Sequence, residues 1–121
     1  MNYNSQNTKS IVITTAGITR QFIAARITHI VCDAYLCDVY IEGNEKLTCS
    51  KLLKYFENEL AGCGFIRIHH DTLVNANYIR QINNRNKEIT LTDNTKLKVS
   101  RRKWAVFKKR FTGSGSTSGY L

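Results

Sequence analysis

Short apolar runs separated by turn residues make up the first half of the chain. The runs have the length of strands and are rich in β-branched and aromatic residues, while Gly17 and the Gly43-Asn44 pair supply turns between them. They cover residues 11–15, 21–25, 29–35, 37–42 and 46–49. This half of the chain is therefore predicted to form β-sheet.

Residues 51–60 follow the period of an amphipathic helix instead. Four apolar residues recur at the spacing that places them on one helix face: Leu52, Leu53, Phe56 and Leu60. Ser50 is expected to cap the start of this helix, and Gly62 and Gly64 are expected to end it. The pattern predicts one helix packed on the sheet.

Strand character returns in the second half, in four further runs. They cover residues 65–69, 78–82, 87–92 and 96–99, and Asp93-Asn94 is typical of a hairpin turn between the last two. A second helix is predicted over residues 101–111, with Ser100 as its N-cap. Its aromatic residues Trp104, Phe107 and Phe111 share one face, and Arg102 lies on the opposite face.

Length and composition limit the organisation of the chain. With 121 residues, 42% of them hydrophobic, the chain is predicted to form one domain over residues 11–111. Residues 1–10 are polar and predicted to be disordered, and residues 112–121, rich in Gly, Ser and Thr, to be a flexible tail. No apolar run is long enough to cross a bilayer and no signal peptide is recognisable, so we expect a cytoplasmic protein that makes no contact with membranes.

The four cysteines do not have the spacing of a zinc knuckle. Cys32, Cys37, Cys49 and Cys63 lie in or near apolar runs. Without a secretion signal, we expect them to be reduced and mostly buried, and we expect neither a metal nor another cofactor.

The positive charge is confined to one half of the sequence. Residues 1–62 contain six Lys or Arg and six Asp or Glu, whereas residues 63–121 contain twelve and three, so the whole net charge of +9 lies in the second half. A basic surface of this kind favours a polyanion, because neutralised phosphates release condensed counterions. Nucleic acid is the partner that this pattern indicates.

The adjacent His69, His70 and Asp71 are the strongest candidates for catalysis or metal binding. On a strand, however, consecutive side chains point to opposite faces, so the two imidazoles are not expected to serve one centre. The sequence has no glycine-rich phosphate loop and no nucleophile elbow. We therefore predict that the chain is not an enzyme.

Two motifs carry a resemblance to a known family. FIRIHHDTLVNANYIRQI, followed about twenty residues later by LKVSRRK and a basic amphipathic helix, resembles the LytTR DNA-binding domain of bacterial response regulators. The matching features are the Arg-x-His strand, a Leu-Val-Asn turn and Val-Ser-Arg-Arg at the start of the last helix. The resemblance covers approximately residues 10–111.

The resemblance implies both a fold and a set of contacts. The fold is an elongated, mainly β arrangement of stacked sheets with short helices near residues 51–60 and 101–111, in which loops contact duplex DNA. By position, base contacts fall on His70, Arg102, Tyr35 and Asp38, although the aspartate would repel phosphate. Phosphate contacts fall on Arg67, Ser100, Arg101 and Lys103, and the position of Lys108 on the same basic helix adds a further one.

The sequence thus predicts a bacterial transcription regulator that binds duplex DNA, at paired repeat sites and with a homodimer as one arrangement. Family members usually carry a receiver domain, so the chain is expected to be either an effector domain of a larger protein or a free-standing member. Two alternatives remain open. One is an RNA-binding module that stacks bases on exposed aromatic residues, and the other is a protein-interaction domain with an acidic partner.

Overall fold

The computed structural model describes residues 9–112, which contain ten strands and two α-helices. The elements, in chain order, are β1 (Ser10–Thr15), β2 (Ile18–Ile23), β3 (Ile27–Asp33), β4 (Leu36–Ile41), β5 (Glu45–Ser50), α1 (Leu53–Glu59), β6 (Phe65–His69), β7 (Thr72–Asn75), β8 (Ile79–Asn83), β9 (Glu88–Leu91), β10 (Lys96–Lys98) and α2 (Arg101–Thr112). The predicted fold class, mainly β with two short helices, is confirmed. None of the described helices is long and apolar enough to span a membrane.

The strands form three antiparallel sheets. The first is the hairpin β1–β2, the second has five strands in the order β5-β4-β3-β7-β6, and the third has three strands in the order β10-β9-β8. The five-stranded sheet lies between two cores, because β6 and β7 contribute side chains to both of them. Phe65 and Leu73 face one core, and Ile66 and Val74 face the other.

The first core joins the β1–β2 hairpin, α1 and the five-stranded sheet. Phe56 and Leu60, two of the apolar residues that predicted α1, are almost completely buried there with Ile27 and Ile30. The second core joins the five-stranded sheet to the three-stranded sheet and α2, and Phe107 is its fully buried aromatic residue. Trp104 is only partly buried against this core.

The helix ends agree only in part with the predicted caps. Oγ of Ser100 accepts a hydrogen bond from the backbone N–H of Lys103 at 3.3 Å, which confirms the predicted cap of α2. Ser50 is the last residue of β5, and α1 begins after Leu52 without a side-chain cap, so the predicted role of Ser50 is wrong. Gly62 has a φ of 81° just beyond α1, which is the left-handed conformation that ends helices.

Strand β7 was not expected, because the sequence predicts a turn at Leu-Val-Asn. Thr72–Asn75 pairs with β3 on one side and β6 on the other, and all four residues are buried. The Asn75 side chain is fixed by two contacts: its Nδ2 donates to the Ile27 carbonyl at 3.0 Å, and its Oδ1 accepts from Asn77 N–H at 3.0 Å. A strand buried on both faces has no alternating pattern by which to recognise it.

Cys32 and Cys37 form a disulfide, so the prediction that all four cysteines are reduced is wrong for this pair. Both residues are direct partners in the register of β3 and β4, on either side of the two-residue turn Ala34-Tyr35, with Cα atoms 4.0 Å apart. Cys49 and Cys63 are free thiols.

The predicted terminal segments fall mainly outside the described part of the chain. Ser10 already belongs to β1, and Thr112 still belongs to α2. The predictions for residues 1–8 and 113–121 concern positions that the structure does not describe.

Candidate nucleic-acid interface

His70 lies in the turn between β6 and β7, where its side chain is exposed. The backbone of this turn is held by Arg67, whose guanidinium donates from Nε to the His69 carbonyl at 3.3 Å and from Nη2 to the His70 carbonyl. The third contact of this guanidinium is an ion pair from Nη1 to Oε1 of Glu57 on α1, at 3.1 Å. Arg67, which is partly buried, therefore holds the turn through contacts within the protein.

The start of α2 lies beside the end of β6. The backbone N–H of Ser100 donates to the carbonyl of Ile68 at 2.8 Å, and Ile68 is two residues from His70. Arg101 and Arg102 follow in the first turn of α2, where both are exposed, and neither forms a salt bridge within residues 9–112. The structure thus brings together two segments that are about thirty residues apart in the sequence.

The charges in the first turn of α2 oppose the helix dipole. Arg101, Arg102 and Lys103 lie at the positive end of the helix, and that turn contains no acidic residue. Cations at a helix N-terminus are unfavourable, whereas an anion there is favourable. A bound phosphate would therefore relieve the repulsion that the free domain carries at this end.

Tyr35 lies in the β3–β4 turn and is 70% exposed. This turn is close to the His70 turn, because the Cys32 N–H donates to the Asp71 carbonyl at 2.8 Å. The two turns and the start of α1 line a common open cleft of about 740 Å³. Tyr35 and Asp38 lie in different elements, however: β4 begins at Leu36, and within it Oδ1 of Asp38 accepts a hydrogen bond from Thr48 Oγ1 at 2.6 Å.

Three basic residues that the sequence did not single out lie near Arg101. Arg85, Lys87 and Lys98 line a cleft of about 300 Å³ with it. The Val99 N–H donates to the Lys87 carbonyl at 2.9 Å and Lys98 Nζ donates to the Asn86 carbonyl at 3.1 Å, so the β8–β9 turn is held against β10. The polar run NNRNK between two strands is the signal in the sequence that marks this turn.

The other two predicted phosphate ligands on α2 are half-buried. Lys108 donates from Nζ to Asn84 Oδ1 at 2.6 Å and lies over the Trp104 ring. Lys103 follows the two exposed arginines. The structure therefore places the predicted basic residues of α2 beside the β8–β9 turn and the His70 turn.

Residues 23–112 match the family described as the LytTr DNA-binding domain. The chain belongs to the LytTR family. Among solved structures it is similar to the "LytTr DNA-binding domain of putative methyl-accepting/DNA response regulator from Bacillus cereus", with a TM-score of 0.73 and 20% identity over 84% of this chain and 95% of that chain. At this identity the likeness supports the fold alone. No match was found among the curated proteins.

Family membership confirms the resemblance that the two motifs carry. The LytTR domain is a DNA-binding domain, so family membership identifies DNA as the partner of this chain.

The LytTR domain of this chain also brings His69, His70 and Asp71 together. Their potential ligand atoms all lie within 4.8 Å of one another, and the two imidazole rings are 4.5 Å apart. The expectation that the rings point to opposite faces is wrong, because the β6–β7 register shifts between Arg67 and His69 and His70 already lies in the turn. The three side chains therefore form one cluster.

The largest pKa shifts lie away from these turns. Burial lowers the pKa of His29 from its usual 6.5 to about 4, and this ring stacks on Tyr40 at 4.2 Å. Burial, together with a hydrogen bond to Glu42, raises the pKa of Tyr78 to about 12. Both side chains are therefore neutral at neutral pH and are held by contacts within the protein, so we assign them a structural role.

Proposed function

We propose that this LytTR domain binds duplex DNA in a sequence-specific manner and regulates transcription in the bacterial cytoplasm, with His70 and Arg102 contacting base edges. The observation that carries this proposal is the hydrogen bond from Ser100 N–H to the Ile68 carbonyl. It holds the first turn of α2 beside the β6–β7 turn, so two exposed side chains with hydrogen-bonding groups project from neighbouring points of a basic surface.

Arg102 suits the reading of guanine. Its guanidinium is planar and can donate two hydrogen bonds to O6 and N7 of one guanine in the major groove. Its exposure and the absence of a salt bridge within the described residues leave the guanidinium available for such a contact. His70 can donate or accept with its ring nitrogens and projects from a turn, as expected for a fold that reads DNA with loops.

Phosphate binding falls to the cations around this pair. We assign it to Ser100, Arg101 and Lys103 in the first turn of α2, and we add Arg85, Lys87 and Lys98 because they lie with Arg101 around one cleft. Lys108 lies further along the same helix and extends the basic surface. An anion at the start of α2 is also favoured by the helix dipole.

The structure suggests a different role for Arg67. Within the described residues its guanidinium bonds to Glu57 and to the carbonyls of His69 and His70, all of them groups of the protein itself. We therefore assign Arg67 the positioning of His70 in place of a phosphate contact.

Tyr35 is the third candidate for a DNA contact. It projects from the turn that shares the cleft with His70, and its ring is the most exposed large apolar side chain in the described part of the chain. Asp38 is not carried forward as a base contact, because its carboxylate is engaged by Thr48 within the sheet and would repel nearby phosphates. As expected from the sequence, the DNA target would consist of paired repeat sites, with one copy of the domain bound to each repeat.

The exposure of the aromatic side chains disfavours the alternative of an RNA-binding module. Stacking of single-stranded bases needs several exposed aromatic residues on one sheet face. Tyr35 is the one strongly exposed aromatic residue in the region that the structure describes, and it lies in a turn. The other alternative, an acidic protein as the partner, is tested by titrating such a protein in parallel with duplex DNA.

The test is a binding titration with a duplex site selected from a random library. Arg102→Ala should cost about 1–3 kcal/mol of affinity for this site and lose discrimination at one guanine. Lys109→Ala is the matched control, because it removes the same charge from an exposed position of the same helix. It should weaken binding to all sequences by a similar, smaller factor.

Single-stranded RNA and an acidic protein are titrated in parallel at two salt concentrations. Tighter binding of either one than of the selected duplex would overturn the proposal. An Arg102→Ala protein that still distinguishes the selected site from its single-base variants would remove Arg102 from the base contacts.

A further inference from the structure

The geometry points to a binding site for a divalent transition metal ion formed by His69, His70 and Asp71 in the β6–β7 turn. Two imidazoles and one carboxylate offer ligand atoms that all lie within 4.8 Å of one another. No other group of three or more histidine, cysteine or acidic side chains in residues 9–112 has this arrangement. The three residues are consecutive, so the β6–β7 turn alone supplies the ligands.

Two of the three ligand atoms are already as close together as ligands that share one ion. Nδ1 of His69 is 2.9 Å from Oδ1 of Asp71. Two ligand atoms on one tetrahedral zinc ion, each about 2.0–2.2 Å from it, are about 3.4 Å apart. His70 is exposed, so rotation of its side chain can bring a ring nitrogen to the same point.

Nδ1 of His69 is also an unusual atom in this structure. It is buried and makes no hydrogen bond of acceptable geometry within the described residues, even though Oδ1 of Asp71 is 2.9 Å away. Buried nitrogen atoms normally have a partner, because an unsatisfied one carries the cost of its lost hydration. A metal ion bound to this nitrogen and to the Asp71 carboxylate would satisfy the nitrogen.

The surroundings hold the candidate ligands in place. Thr72 Oγ1 donates to Asp71 Oδ1 at 2.7 Å, and the Asp71 carbonyl accepts from Cys32 N–H. Arg67 holds the carbonyls of His69 and His70. Hydrogen bonds of this kind orient metal ligands and raise affinity, so the backbone of the site is already arranged before an ion arrives.

The ligand set selects the class of metal. Imidazole nitrogen with one carboxylate suits Zn²⁺, Cu²⁺, Ni²⁺ and Co²⁺, whereas Mg²⁺ and Ca²⁺ need sites built from oxygen atoms. Three protein ligands leave at least one coordination position for water.

Metal binding would affect DNA recognition through His70. His70 reaches the ion only by rotating its side chain, so in the metal-loaded domain its ring no longer projects as it does in the free protein, and the domain should bind its duplex site less tightly. This consequence rests on the proposed function, whereas the metal site itself does not.

The experiment is a Zn²⁺ titration of tag-free protein in the absence of DNA, with Cys63→Ser as background to remove the partly exposed thiol. Competition with a chromophoric chelator should show one equivalent bound. His70→Ala and Asp71→Asn should each lower the affinity at least about tenfold. Asp33→Asn, which removes an exposed carboxylate that lines the same cleft, is the matched control and should bind as the background does.

Histidine ring signals in nuclear magnetic resonance spectra of the same background protein give a second readout. It needs no further substitution, so the result does not depend on whether a variant folds. The His69 and His70 signals should shift with Zn²⁺, and those of the buried His29 should not. Absence of stoichiometric binding, or equal binding by all variants, overturns the site. Zinc binding without any effect on duplex affinity upholds the metal site and contradicts the base contact of His70.

Discussion

The N–H of Ser100 donates to the carbonyl of Ile68, a residue that is completely buried in the second core. At the other end of α2, Nη2 of Arg110 donates to the Phe65 carbonyl at 3.3 Å. Helix α2 therefore lies along β6 in the opposite direction and is attached to it at both ends. Arg102 projects from a helix start that is fixed to the core, which is the rigid support that a specific contact requires.

The aromatic face of α2 should contribute stability without affecting DNA contacts directly. Phe107 is fully buried in the second core, so Phe107→Ala should lower the free energy of unfolding by about 3–5 kcal/mol. Trp104 is only partly buried and Trp104→Ala should cost less. Val106→Ala is the control on the same helix, because that side chain is 60% exposed. Urea denaturation measures all three, and a Val106→Ala loss equal to that of Phe107→Ala would contradict this view of the helix.

The sequence predicted the elements whose patterns are local. The strand runs, both helices, the Ser100 cap and the hairpin at Asp93-Asn94 are each recognisable within about ten residues, and the structure contains them. Strand β7 lacked such a pattern, because it is buried on both faces. The Cys32–Cys37 bond was missed because it depends on the register of β3 and β4, which the sequence alone does not fix.

In the candidate site, too, local features were predictable from the sequence and long-range contacts were not. Exposure of His70 and Arg102 was predictable from a polar turn and from the helix wheel. The nearness of the two segments that carry them depends on the long-range bond between Ser100 and Ile68. The internal contacts of Arg67 depend on Glu57, which lies on another element. The closeness of His69 and His70 depends on a register shift in β6, which changes the alternation that a regular strand would have.

Asn75 should be important for stability and not for binding. It is 1% exposed, and its side chain satisfies the Ile27 carbonyl and the Asn77 N–H. Asn75→Ala should cost about 1–3 kcal/mol for each buried group left without a partner. Asn77→Ala removes an exposed side chain but keeps that N–H, so thermal unfolding should show little change in this control. Equal melting temperatures for Asn75→Ala and wild type would exclude the assigned role.

Arg67 offers a test between positioning and phosphate binding. If Arg67 holds the turn, Arg67→Lys should reduce discrimination at the base that His70 contacts, because an ammonium cannot replace the three-way contact of the guanidinium. The salt dependence of binding should change little. Titrations at several salt concentrations measure both effects. A lower salt slope, by about one unit, with unchanged base preference would restore the phosphate contact.

Arg101 and Lys108 should behave in the opposite way to Arg67. Each change to alanine should weaken binding to selected and random duplexes by similar factors and lower the salt slope by about one unit, as the loss of one phosphate contact does. Lys108 also contacts Asn84, so its variant needs a thermal melt as a control for stability. An altered sequence preference in either variant would show that the residue contacts a base.

His29 should make the stability of the domain depend on pH. Burial keeps its pKa at about 4 in the folded protein, an effect that the Asp93 carboxylate partly offsets, whereas the unfolded chain binds the proton near the usual value of 6.5. Between these values the unfolded state holds more protons, so stability falls as the pH decreases from about 6.5 to about 4. The shift corresponds to about 3 kcal/mol over the whole window.

The measurement is the free energy of unfolding by urea at several pH values in this window, for wild type and for His29→Gln. The variant loses the stacking on Tyr40 and is expected to be less stable at neutral pH. The decisive quantity is therefore the slope with pH and not the stability itself. Carboxylates that do not interact with His29 contribute equally to both slopes and cancel in their difference. The pKa of Asp93 is lowered in part by His29, so the difference reports His29 together with its interaction with Asp93. Parallel curves for the two proteins would mean that His29 takes up its proton equally well in the folded and unfolded states.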